Sequence, residues 1–226
     1  MLGQTIGEVL PLALVIALSP IPLVGVILIL FSPRAGANSW MFLLGWVAGV
    51  LGGAVVVLVI ANTQDLTTSS RQPDDSVSTI HVVLGALLIL LAYRQWQKRP
   101  KHGQAPPLPR YLQAVGTLTP VKTFGVSIVL AAVNPKNLVM LIAAGLEISS
   151  ADLSDGDQAV AVAVFTVIAV STVVAVVLGY QLLGERVRPA LDSLRGWLVV
   201  NNSTVMAVLL LVIGTVVLGR GLGVVD

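Results

Sequence analysis

The chain has 226 residues, of which 56% are hydrophobic and 11% charged, with a formal net charge of +2; its mean hydropathy is +0.93. Charged residues make up about 25% of an ordinary soluble domain, and a soluble globule this apolar would expose patches far larger than a monomer tolerates. A soluble enzyme, a disordered chain and a nucleic-acid-binding module are therefore excluded, and with no cysteine so are disulfides, thiol redox work and Cys-ligated metal clusters.

An integral membrane protein is the expectation, and six apolar stretches are long enough to cross a bilayer: 6–31, 39–60, 78–96, 119–146, 158–180 and 202–218. None shows the period-2 alternation of a membrane barrel, so all six are predicted helices. The first has no Lys or Arg before it and is interrupted by Pro20 and Pro22. It is expected to stay in the protein and not to be cleaved as a signal peptide. The second carries Gly45, Gly49, Gly52 and Gly53, whose four-residue spacings let another helix approach closely. Internal packing is the first reading of that stripe and a homodimer contact the second. The third segment starts beside His81, which is read as interfacial. After it, Lys98 to Arg110 runs KRPKHGQAPPLPR, a basic, Pro-rich linker that anchors to the membrane surface or docks a partner. Between the fifth and sixth segments, Leu183, Val187, Leu191, Leu194 and Leu198 share one helical face. That stretch is predicted to lie along the membrane surface with Trp197 at headgroup depth.

Orientation follows from the basic residues in the loops. Arg34, then Arg94, Lys98, Arg99, Lys101, Arg110 and Lys122, then Arg186, Arg188 and Arg195 fall on one side. Only Arg71 and Arg220 fall on the other, together with Asp65, Asp74, Asp75, Asp152, Asp155 and Asp157. The basic side is predicted to be cytoplasmic and both termini outside.

The most informative pattern is a match between halves. Val15 to Leu30 reads VIALSPIPLVGVILIL and Val129 to Ala144 reads VLAAVNPKNLVMLIAA. Aligning Pro20 with Pro135 pairs Ser19 with Asn134. Each motif sits mid-segment in the first helix of a three-helix half. Three is odd, so the second half enters the membrane inverted, as in many secondary transporters. The predicted division is a first repeat at 1–96, a cytoplasmic linker at 97–118 and a second repeat at 119–226.

Proline removes a backbone N–H and clashes with the carbonyl one turn back. In a bilayer core the freed carbonyl must find another donor or water. A single such proline is a common kink, but two at equivalent depths, flanked by Ser19, Asn134 and Asn137 and joined by Pro22, predict a polar spot at mid-bilayer. Lys136 lies within it. An ammonium at a helix centre costs about 2.5–3.5 kcal/mol to insert, and the nearer helix end is roughly 15 Å away, too far for easy snorkelling. Glu8 and Glu147 lie near segment ends, so no membrane carboxylate is an obvious partner. The predicted substrate-binding residues are Ser19, Pro20, Pro22, Asn134, Pro135, Lys136 and Asn137, with Lys136 either binding an anionic substrate group or exchanging a proton.

The SPIP motif at residues 19–22, the PRAG turn at 33–36, LLGWVAG at 43–49 and NPKN at 134–137 resemble the LysE transporter superfamily. The basic Pro-rich linker and the SPIP…NPKN pair look most like its GAP branch, the actinobacterial proteins that address glycopeptidolipids or sulfolipids to the cell surface. The resemblance implies an all-α, six-helix inverted-repeat exporter of a lipid or lipid-like substrate in the plasma membrane, with proton coupling left open. It also implies membrane lipids and cell-envelope lipid biosynthesis or export proteins as partners. Amino-acid or other small-solute export of the LysE type is the alternative, although the usual helix-one motif there is PGP-like and SPIP departs from it. Metal-ion export is disfavoured, since the metal-exporting members carry acidic residues inside their helices and none is expected to be buried here. No cofactor, metal site or nucleic-acid partner is expected. The chain lacks GxSxG, HExxH and paired membrane carboxylates, so an enzyme is not expected, and a Ser19–Lys136 dyad is the remote exception.

Overall fold

A computed structural model describes residues 1–63, 76–99 and 117–224. Most of the predicted linker 97–118, with His102, therefore lies outside the described residues, as do Asp65, Arg71, Asp74 and Asp75. The described residues are all-helical, without strands. They form α1 (Leu2–Ala17), α2 (Pro20–Leu30), α3 (Ala35–Thr63), α4 (Ser76–Gln97), α5 (Pro120–Ala132), α6 (Pro135–Ser150), α7 (Asp155–Leu183), a short 3-10 turn (Gly184–Val187) and α8 (Arg188–Gly221).

Two of these runs, Ala35–Thr63 and Asp155–Gly221, are long and apolar enough to cross a membrane. Counting each bent pair as one span, α1 with α2 and α5 with α6, raises the number to four. The prolines explain the bends. Pro20 and Pro135 each occupy the first turn of the following helix, where a missing N–H does no harm. Ser19 and Asn134 before them are extended, with ψ of 117° and 122°, as a residue preceding proline prefers. The axes turn by 47° at the first break and 63° at the second.

Side-chain contacts tie the helix ends into two layers. At one end Asn62 bonds Gln158 and Ser149, and Glu147 meets both His81 and Arg220. At the other, Asn38 donates to the Leu118 carbonyl at 2.9 Å and Gln181 to Ser39 at 3.2 Å, while Arg188 and Arg195 stack on Phe31. The first is the acidic end, with Asp152, Asp155 and Asp157; the second is the basic end.

Glycine sets how closely the helices pack. A Cβ on Gly45 would lie 2.0 Å from Ser127 Oγ and 2.4 Å from the Phe124 carbonyl oxygen, and one on Gly49 2.6 Å from Ala131 Cβ. Both glycines therefore press α3 onto α5. Gly53 abuts Leu141, whereas Gly52 faces open space. Gly85 sits against the backbone of Leu218, and Gly214 against Ile89, which brings α4 close to α8 near the acidic end. The core between the helices is continuous, with Ile16, Ile27, Phe42, Trp46, Met140 and Phe165 fully buried.

One expectation is corrected. The amphipathic stretch after the fifth segment is not a separate surface helix: residues 188–221 form one helix of 34 residues. Nothing between Trp197 and Asn202 prevents helix continuation, since Asn costs little more than most residues there. At about 1.5 Å per residue α8 is about 51 Å long, more than a ~30 Å hydrocarbon core. Leu191 and Leu198 are buried against the protein, while Leu183, Leu194 and Trp197 are exposed.

Candidate functional site

The first break frees two carbonyls in particular. In an unbroken helix Ser19 N–H would bond the Val15 carbonyl; here it bonds Ile16 at 3.2 Å, because Pro20 supplies no N–H to that oxygen. Val15 is left without its usual donor, and Lys136 Nζ takes the place, donating to the Val15 carbonyl at 2.9 Å. Ala17 would normally receive the N–H of Ile21, one turn on. Its carbonyl instead accepts the Thr172 hydroxyl of α7.

The second break is closed by its own side chains. Asn134 caps α6, its Oδ1 accepting from the Lys136 N–H at 3.1 Å, and its carbonyl receives Leu138 N–H at 2.8 Å. Asn is among the strongest N-caps. Pro135 cannot donate to Ala131, and Asn137 Nδ2 reaches back to that carbonyl at 3.0 Å and to Leu130 at 3.3 Å. Under the alignment of Pro20 with Pro135, Val15 corresponds to Leu130. The equivalent carbonyl of each break thus accepts from a side chain of the NPKN motif, Lys136 for one and Asn137 for the other.

This geometry brings Lys136, Asn137 and Ser19 into the protein interior; their exposures are 8%, 1% and 2%. Pro20 and Pro22 are buried as well, whereas Asn134 is half-buried and Pro135 exposed. The partner of Lys136 is a carbonyl and not a carboxylate. That bond uses one of the ammonium's three donors. Asn137 Oδ1 is buried with no hydrogen-bond partner among the described residues. Lys136 therefore keeps unused donors, and its chain neighbour Asn137 an unused acceptor. Below the second break, Gly49, Gly52, Gly53, Val56, Ala132, Leu138 and Leu141 border an apolar cleft of about 390 Å³.

Two features escaped the sequence reading. Thr172 is one of several hydroxyl residues in α7, and only the fold shows that it faces the first break. His81, read as interfacial, joins Glu147 at 3.0 Å and is half-buried. Glu147 also meets Arg220 at 3.4 Å, so one carboxylate ties α4, α6 and α8. His81, Glu147 and Arg220 lie in separate segments, and no spacing in the sequence connects them. Among the described residues no group of three or more His, Cys, Asp or Glu side chains could hold a metal ion.

Both breaks fall within residues 9–223, which match the family model described as Sap, sulfolipid-1-addressing protein. No curated protein and no solved structure matches the chain.

Proposed function

The chain belongs to the sulfolipid-1-addressing protein family, and from that premise we propose that it is a transporter moving a lipid or lipid-like molecule with a polar or anionic headgroup across the plasma membrane. In this reading the bent pairs α1–α2 and α5–α6, with α3, α4, α7 and α8, make six crossings arranged as two inverted repeats. The basic end is cytoplasmic and both termini are outside. The observation that carries the reading is the bond from Lys136 Nζ to the Val15 carbonyl, which ties a buried lysine in one broken helix to the break of the other. Half-helices meeting at mid-membrane are how many transporters bind polar groups within a bilayer.

Lys136 would hold the anionic group of the substrate with its remaining donors, and the buried Asn137 Oδ1 would accept a hydroxyl or amide proton from the same headgroup. Ser19, Pro20 and Pro22 shape the facing wall, and Asn134 with Pro135 fixes the start of α6 so that Lys136 stays at this depth. Acyl chains would remain beside the apolar helices while the headgroup crosses. The protein binds and moves its substrate without altering a bond.

Purified protein in vesicles provides the test. A fluorescent lipid with a sulfated sugar headgroup is placed in both leaflets and bleached from outside with dithionite. The expected result is bleaching of the inner pool, which protein-free vesicles protect. An unchanged protected pool, with efflux of radiolabelled lysine in parallel vesicles, would replace lipid transport by amino-acid export.

A further inference from the structure

Near the basic end, α4 and α8 part around a groove of about 340 Å³ lined by Ile89, Ala92, Tyr93, Trp96, Ala207, Val208 and Leu211. The same helices pack tightly at the acidic end, where Gly85 and Gly214 allow close approach. Beyond those glycines the facing residues are Ala92 and Ala207, each 3% exposed. They form a floor too small to fill the space, and the exposed Tyr93, Trp96, Val208 and Leu211 form the walls. Among the described residues no charged side chain lines the groove. Its apolar lining suits a flexible hydrocarbon chain.

The rim has the opposite character. Arg99 stacks on Trp96 with its guanidinium carbon 3.9 Å from the ring centroid. Stacking occupies the faces of the guanidinium and leaves its in-plane N–H edge for an anion. Arg94 in the last turn of α4 and Lys98 just beyond its end lie at the same level on the helix's other side, are exposed, and make no ion pair among the described residues. An arginine edge recognises phosphate with two parallel hydrogen bonds, and an aromatic ring of this kind belongs at headgroup depth.

We propose that this groove is a binding site for one anionic phospholipid of the surrounding bilayer, an acyl chain lying over Ala92 and Ala207 and the phosphate on Arg99, with the charges of Arg94 and Lys98 at the same level adding to the positive potential there. The charge of the rim selects the occupant, since a zwitterionic lipid offers the same chain without net negative charge. The site is separate from the paired breaks and does not depend on what passes through them.

Trp96 itself reports occupancy. In a background carrying Trp40→Phe and Trp197→Phe, with a further Trp96→Phe protein to subtract the buried Trp46, the purified chain is reconstituted into phosphatidylcholine vesicles. A small, equal fraction of brominated phosphatidylglycerol or brominated phosphatidylcholine is then added. The expected result is severalfold stronger quenching of Trp96 by the brominated phosphatidylglycerol. The preference should disappear in the Arg94→Gln/Lys98→Gln/Arg99→Gln protein, whose substitutions are all on exposed residues, while quenching by brominated phosphatidylcholine stays the same. Equal quenching by the two lipids, or a preference that survives the triple substitution, would overturn the proposal and leave the groove as ordinary bilayer contact.

Discussion

Lys136 shows how a costly residue is accommodated. In the proposed transport reading it lies at mid-membrane, where inserting a charged lysine costs about 2.5–3.5 kcal/mol. The broken α1 supplies an acceptor at Val15, and leaving such a buried carbonyl unpaired costs about 1–3 kcal/mol. Lys136→Met removes both the charge and the donor, so the two effects largely cancel. The detergent-purified variant is expected to melt within about 8 °C of the wild type, given the few degrees per kcal/mol typical of chains this size. A much larger fall would assign the ammonium a mainly structural role. Asn137 is less replaceable, because its amide serves two freed carbonyls at once. The sequence marks both residues as unusual through their depth alone. It does not reveal which carbonyls they serve, since that depends on how the two halves come together.

At the scale of elements, the prolines and glycines carry most of what the sequence discloses. Pro20 and Pro135 locate the two breaks because the missing N–H is a local property. The glycine stripe foretells a close helix contact, and the structure assigns Gly45 and Gly49 to α5. The other glycine contacts, Gly85 on Leu218 and Gly214 on Ile89, join residues too distant in the chain for a pattern to reveal. The same holds for the Glu147 junction between α4, α6 and α8. The continuous α8 escaped for another reason: polar Asn201 and Asn202 resemble a boundary by hydropathy but do not stop a helix. Gly45→Ala would place a methyl against Ser127 Oγ and the Phe124 carbonyl, and backbone cannot yield as a side-chain tip can. A loss of about 1–3 kcal/mol is expected, measured as a lower melting temperature. Gly52→Ala, with nothing within 4 Å, should leave stability unchanged; equal effects at the two positions would contradict the assigned packing.

For the whole molecule, helix-end contacts gather Asn62, Ser149, Gln158, Glu147, His81 and Arg220 at the acidic end, and Asn38, Gln181, Phe31, Arg188 and Arg195 at the basic end. The proposed orientation places the basic end in the cytoplasm. The chain has no native cysteine, so single cysteines report without background. In intact cells an impermeant maleimide should label Ser154→Cys and spare Gln104→Cys, and the reverse pattern would invert the topology. Transport as proposed requires above all that the two broken helices form one site around Lys136. Its most direct test is the rate at which vesicles containing folded Lys136→Met protein translocate the sulfated fluorescent lipid, compared with wild type. Translocation should collapse to the protein-free level; wild-type translocation by the methionine variant would show that Lys136 is not part of a transport site.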